Sequence, residues 1–135
     1  MQFNELKQSI DISNLTCWYQ PIYDLKGDVL LGHEALVRSK MQNGPNPMEI
    51  FNIAKLLGKH SILDKQLIIK AQELFKGPRD CTLFINVFPS TLMDESFISW
   101  WDEHPKIVDS IVLEISEAEP ICDIGSLKYI LKELH

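Results

Sequence analysis

Two short apolar runs, Cys81 to Val87 and Ser110 to Ile115, flank a stretch from Leu92 to His104 in which Phe97, Trp100 and Trp101 fall at helical spacing between Pro89 and Pro105. This strand, helix, strand order is the strongest constraint on the fold. A strand that returns to its own sheet through a helix lies parallel to the first, with a right-handed crossover. Repeats of that unit build α/β sheets and (β/α) barrels. Asn86 and Glu114 stand 28 residues apart, one repeat, so both are expected at the same C-terminal edge of neighbouring strands. Barrels carry their active sites at that edge.

The upstream residues supply a different entry. Leu15 to Ile22 is β-branched and aromatic, Lys26-Gly27-Asp28 is a turn signal, and Val29 to Val37 is a second strand run, which together predict an antiparallel hairpin. After the loop signal Asn43-Gly44-Pro45-Asn46-Pro47, the residues Ile50, Phe51, Ala54 and Leu57 share one helical stripe that Gly58 can end. Ser61 with Asp64 three positions on has the pattern of a helix start, and Leu63, Leu67, Ile68, Ala71, Leu74 and Phe75 continue that helix to Gly77-Pro78. The run from Cys81 to Val87 suits a strand covered on both sides, Leu92 to His104 reads as one helix, and Asp123 caps a last helix carrying Leu127, Ile130, Leu131 and Leu134. The expected architecture is α/β: the N-terminal half of a TIM-like (β/α) barrel with an antiparallel first strand. Residues 1–14 are read as a lead-in and 15–135 as the half-barrel.

Composition narrows the function classes. A chain of 135 residues that is 45% hydrophobic and 24% charged fits one globular domain. Its net charge of -6 and the lack of a basic stripe argue against bulk nucleic-acid binding. Apolar runs are far shorter than the roughly 18 residues of a membrane span. The start, Met1 to Lys7, lacks the basic and apolar regions of a secretory signal, so a cytoplasmic location is expected. Cys17, Cys81 and Cys122 are widely spaced and are read as reduced, mostly buried thiols; His33, His60, His104 and His135 show no ligand pairing and are read as surface or loop residues.

Polar residues that interrupt the strands are the candidate site. If Ala35 and Val37 pack against helices, side-chain alternation sends Glu34, Leu36 and Arg38 to the opposite face. The same parity separates Asn86 from Ile85 and Val87, and Glu114 from Leu113 and Ile115. Two converging carboxylates and an amide oxygen suit a hard divalent ion, Mg²⁺ or Mn²⁺. In the alternative account Glu34 pairs with Arg38, while Asn86 and Glu114 cap the helices that follow them.

Beyond these inferences, the run Trp18-Tyr19-Gln20-Pro21-Ile22-Tyr23-Asp24 followed by Gly32-His33-Glu34-Ala35-Leu36-Val37-Arg38 resembles the opening hairpin of EAL-type cyclic-di-GMP phosphodiesterase domains. Pro47, Phe51, Ile53-Ala54, Gly58, Ile62, Leu63-Asp64, Ile85-Asn86-Val87 and Leu113-Glu114-Ile115-Ser116-Glu117 follow in that family's order, so the resemblance spans nearly all of the chain from Leu15 onward. It implies that Glu34, Asn86 and Glu114 are metal ligands and that Glu34 and Glu117 belong to the catalytic set, with Glu117 steadying a neighbouring loop. It also implies that Gln20, Leu36 and Arg38 line a cyclic-di-GMP pocket. Arg38 can fork onto a phosphate, and Gln20 can offer its amide to a guanine edge or to a structural hydrogen bond. Two positions depart from the family pattern: Phe88 replaces a small serine and is expected to crowd the mouth, and Ser116 replaces a threonine.

In the family, later strands carry an Asp-Asp-Phe-Gly motif, a lysine, a glutamate and a glutamine, none of which lies within these 135 residues. The resemblance therefore implies metal-dependent hydrolysis of cyclic-di-GMP to pGpG by a longer form, with this truncated stretch inactive alone. The alternative is a non-catalytic cyclic-di-GMP-binding or protein-interaction module. Four strands leave an open edge, so a homodimer through that edge or the inner face is expected.

Overall fold

The hairpin forms where the sequence asks for it. Leu15–Tyr23 (β1) and Leu30–Ser39 (β2) pair antiparallel. Between them Gly27 takes a φ of 73°, while Asp24 Oδ1 accepts from the backbone N–H of Asp28 at 3.0 Å and of Val29 at 3.3 Å. Glycine supplies a left-handed backbone that most residues resist, and the aspartate closes the turn locally. The computed structural model describes residues 2–116.

Ahead of the hairpin run helix α1, Phe3–Ser9, and a short 3-10 turn, Ile12–Asn14. After it come α2 (Pro47–Leu56), α3 (His60–Leu74), β3 (Thr82–Val87), α4 (Pro89–Met93), α5 (Phe97–Glu103) and β4 (Ser110–Ile115). The sheet order is β1-β2-β3-β4, with β2, β3 and β4 parallel. Asn86 pairs directly with Glu114, as the one-repeat spacing requires.

Helix α2 starts on a capping box. Asn46 Oδ1 accepts from the Glu49 backbone N–H at 2.9 Å, and Glu49 Oε1 accepts from the Asn46 N–H at 3.3 Å. Pro47 sits in the first turn, where its missing N–H costs nothing. Gly58, at a φ of 66°, follows the helix end.

One face of the sheet is the core. Ala35, Leu83, Ile85 and Val87 pack under Ile68 and Ala71 of α3 and under Leu92 and Phe97. Next to them Leu15 and Val37 meet Ile50 and Ala54 of α2 and Leu63 and Leu67 of α3. Tyr19 fastens β1 to α3 through a 2.6 Å hydrogen bond from its hydroxyl to the Ala71 carbonyl. At Gly32 β2 approaches β3 so closely that a Cβ would meet the Thr82 carbonyl and the Phe84 ring.

Several expectations change. Burial alternates along β3, so among the described residues helices cover one face of that strand only. The stretch from 92 to 104 is two helices, because Asp94 breaks it: its Oδ1 accepts from the Ser96 N–H at 2.9 Å and from the Ser96 hydroxyl at 2.8 Å. Helix α3 begins at His60 without a side-chain cap, and Asp64 is no part of its start. His33 is no loop residue; it lies on β2 with Nδ1 3.2 Å from the Cys81 sulfur. Cys17 and Cys81 are free, half-buried thiols, and burial pushes Cys17 up to about 11. Glu117, Cys122, His135 and the helix expected from Asp123 lie outside the described residues.

Candidate functional site

Strand parity and register bring the polar residues to one face. Gln20 is opposite Glu34 across the hairpin, Trp18 is opposite Leu36, and Thr16 is opposite Arg38. On the parallel side Glu34 is level with Phe84, and Asn86 with Glu114. All of these lie on the face away from the α2 and α3 core.

Glu34, Asn86 and Glu114 come together. The Asn86 amide nitrogen donates to Glu34 Oε2 at 3.1 Å. Glu114 titrates above the ordinary glutamate range, first because burial disfavours its charge and then because Glu34 stands beside it. One oxygen of that carboxyl group, Glu114 Oε1, is buried without a hydrogen-bond partner. A buried, orphaned carboxylate oxygen beside a second carboxylate is the arrangement a hard cation stabilises. The residues present therefore fit a divalent ion, with the Asn86 amide turned to offer its oxygen in place of its nitrogen. Among the described residues no three His, Cys, Asp or Glu side chains gather round one point, so the donor set there is two carboxylates and an amide.

Of the alternative roles, the Glu34–Arg38 pair and the Asn86 cap are not the ones observed, and the helix that Glu114 was expected to cap lies outside the described residues. Arg38 donates to its neighbour's Val37 carbonyl at 2.7 Å and lays its guanidinium 4.9 Å from the centre of the Trp18 ring, while Glu34 takes its hydrogen bond from Asn86. Asn86 does not cap α4; Asp64 Oδ2 accepts from the Phe88 N–H at 2.9 Å and from the Thr91 hydroxyl at 2.5 Å. Gln20 is exposed, and Leu36 and Arg38 are half-buried. A cavity of about 150 Å³ opens at the C-terminal strand edge, lined by Leu36, Arg38, Phe51, Asn86 and Ser116 among others.

Phe88 does not crowd the mouth. Only 2% exposed, its ring packs against Phe51 of α2, centroids 5.3 Å apart, and His60 of α3, at 5.7 Å.

Sequence reasoning missed Trp18 and Asp64. The exposure of Trp18, 63%, is unusual for a tryptophan flanked by strand residues, and its signal was parity, since it shares the face of Gln20. Asp64 gave a misleading signal, because a serine followed three positions later by an acid imitates a cap.

Comparison with known proteins agrees with this fold. No curated protein sequence matches the chain. Among solved structures, the FimX EAL domain of Xanthomonas citri in complex with c-di-GMP is similar, with a TM-score of 0.72 at 15% identity over 97% of this chain and 55% of that one. An EAL domain protein from Listeria monocytogenes has a TM-score of 0.69 at 19% identity, over 99% of this chain and 56% of that one. The Bacillus subtilis YkuI protein, which has an EAL domain and was solved in complex with c-di-GMP and calcium, has a TM-score of 0.68 at 23% identity, over 96% of this chain and 35% of that one. The chain thus spans about half the length of the first two, and its fold is that of their TIM-barrel-like domains over that half. A family model described as EAL domain matches residues 3–135, and the chain belongs to the EAL domain family.

Proposed function

We propose that this chain provides the first half of a cyclic-di-GMP phosphodiesterase site. Glu34, Asn86 and Glu114 would hold a divalent cation, Mg²⁺ or Mn²⁺, and the single observation that carries this is the buried, unpartnered Oε1 of Glu114, a side chain that stands beside Glu34. When bound, such an ion supplies Lewis-acid polarisation of a phosphodiester and acidifies nearby water. The protein's own part is to bind and orient. Arg38, already stacked on Trp18, offers its free donors to a phosphate. Gln20 and Leu36, on the same open face, take the base and the sugar edge. Glu117, outside the described residues, is proposed to steady an adjoining loop.

Hydrolysis by two metals needs more carboxylates than the two that converge among the described residues. That donor count favours binding without turnover by the described residues, cleavage to pGpG needing further ligands. Calorimetry with cyclic-di-GMP in Mg²⁺ or Mn²⁺, followed by chromatography for pGpG, separates the readings. Binding with no product is expected. Product formation would make these residues a hydrolase by themselves, and no binding at all would refute the site.

Assembly is the second part of the proposal. Trp18, Leu30 and Val112 are exposed large hydrophobics, and Trp18 and Val112 lie on the open face. A second copy of this chain is proposed to meet that face or the edge of β4, which among the described residues pairs with β3 alone and so invites pairing.

A further inference from the structure

We propose that Asp64 is a positioning residue: its carboxylate, on α3, holds the end of β3 so that Asn86 stands at the distance from Glu34 and Glu114 that a divalent ion requires. The inference rests on reading that cluster as a cation site.

Asp64 is 1% exposed and lies in the first half of α3, under the strand ends. Its Oδ2 accepts two hydrogen bonds from one short segment, the Phe88 N–H at 2.9 Å and the Thr91 hydroxyl at 2.5 Å. Phe88 is the cap residue of α4 and has no side-chain acceptor of its own for the first turn. Those donors must be satisfied by something, and here a distant helix satisfies them. The carboxylate therefore fixes the backbone two residues beyond Asn86. One residue before Phe88, the Val87 carbonyl accepts from the Ser116 N–H at 2.8 Å, which ties the same turn to the segment two residues past Glu114. A single buried side chain is thus joined through one turn to the ends of β3 and β4, which carry Asn86 and Glu114. A short polar residue within the turn could cap so short a helix locally, whereas a charge taken out of water costs more. What the distant carboxylate adds is a fixed relation between α3 and the turn.

Side chains that orient metal ligands typically change metal affinity about 10-fold or more when replaced. The test is Mn²⁺ binding to the 135-residue chain by calorimetry, with the paramagnetic broadening of the Asn86 side-chain amide as a second readout. Three variants are compared: Asp64→Asn, which keeps the volume but loses one acceptor oxygen; Thr91→Val, which removes one donor; and Ile68→Val, one turn along α3, which lowers stability without removing a hydrogen bond to the turn. Asp64→Asn is expected to bind Mn²⁺ about tenfold more weakly, with Thr91→Val in between. Ile68→Val, with comparable loss of stability by urea unfolding, is expected to bind within about twofold of the parent. Parent-like Mn²⁺ affinity in Asp64→Asn, or an equal loss in Ile68→Val, would overturn the positioning role. If Asp64→Asn does not fold, Thr91→Val decides alone, and parent-like binding there overturns the role. Failure of the parent chain itself to bind Mn²⁺ would instead remove the cation reading, and the positioning role with it.

Discussion

Glu114 is where the physical tension of the chain is most concentrated. Its carboxylate is buried beside another carboxylate, and one oxygen finds no donor. The folded chain therefore holds the Glu114 proton more tightly than the unfolded chain does. By linkage, the metal-free protein should keep the full benefit at pH below the ordinary glutamate range and lose stability as pH rises through the elevated value. Urea unfolding at intervals from about pH 4 to about pH 8 should show this fall, and Glu114→Gln should flatten it. Added Mn²⁺ should restore stability to the parent at the upper end and not to Glu114→Gln. A pH profile that is the same in both proteins would mean that the two carboxylates do not interact. Trp18 makes a second residue-scale case. An exposed indole with a guanidinium over it is a flat surface on which a base can stack, a contact that is worth about 1–3 kcal/mol in single-strand binders. Trp18→Ala should weaken cyclic-di-GMP about tenfold or more by calorimetry, while Trp18→Phe keeps most of the affinity.

At the scale of elements, the capping box of α2 is the most separable device. Asn46 and Glu49 satisfy each other's backbone at the start of the helix, away from the three site residues. Asn46→Ala should therefore cost about 1 kcal/mol of stability in urea unfolding and leave Mn²⁺ affinity unchanged. That box and the Gly58 stop are written locally, as are the hairpin turn and the period-two pattern of β2, so the sequence alone placed Glu34 and Arg38 on one face. The repeat length from Asn86 to Glu114 likewise fixed their register, which the pairing of the two residues bears out. Other features were not legible, some because they depend on partners distant in the chain and some because a local signal was outweighed by a stronger pattern. Along β3 the open-face residue Phe84 is as apolar as its neighbours and interrupts the alternation carried by Thr82 and Asn86, which hid the side that no helix covers among the described residues. The break at Asp94 depends on a local Asx bond that outcompetes helical spacing carried by Phe97, Trp100 and Trp101. Asp64 is identified by the residues that donate to it, Phe88 and Thr91, more than twenty positions away, and a local window sees only Ser61 and an imitation cap. Phe88 was misjudged for the same reason, since Phe51 and His60 draw its ring to the helices.

For the whole molecule, the sheet has two unlike faces. One is sealed by α2 to α5, and the other carries the candidate site together with Trp18, Leu36, Phe84 and Val112. In the solved relatives the matching region is about half of the chain. An apolar sheet face next to a charged cluster exposes area whose burial yields about 25 cal/mol per Å², and β4 adds a row of backbone groups open to pairing. A second copy can cover both at once only if its own open face is presented in a two-fold arrangement. The expected outcome is a dimer by light scattering at tens of micromolar, which a charge on the open face of β4, Val112→Lys, converts to monomer. Helix content by circular dichroism should not change, because Val112 lies opposite the helical core. The same variant separates assembly from ligand binding. If Val112→Lys is monomeric and still binds cyclic-di-GMP with Mn²⁺ as the parent does, one chain contains a complete binding half-site. If binding disappears along with the dimer, ligands from two copies must meet across the open face to make one.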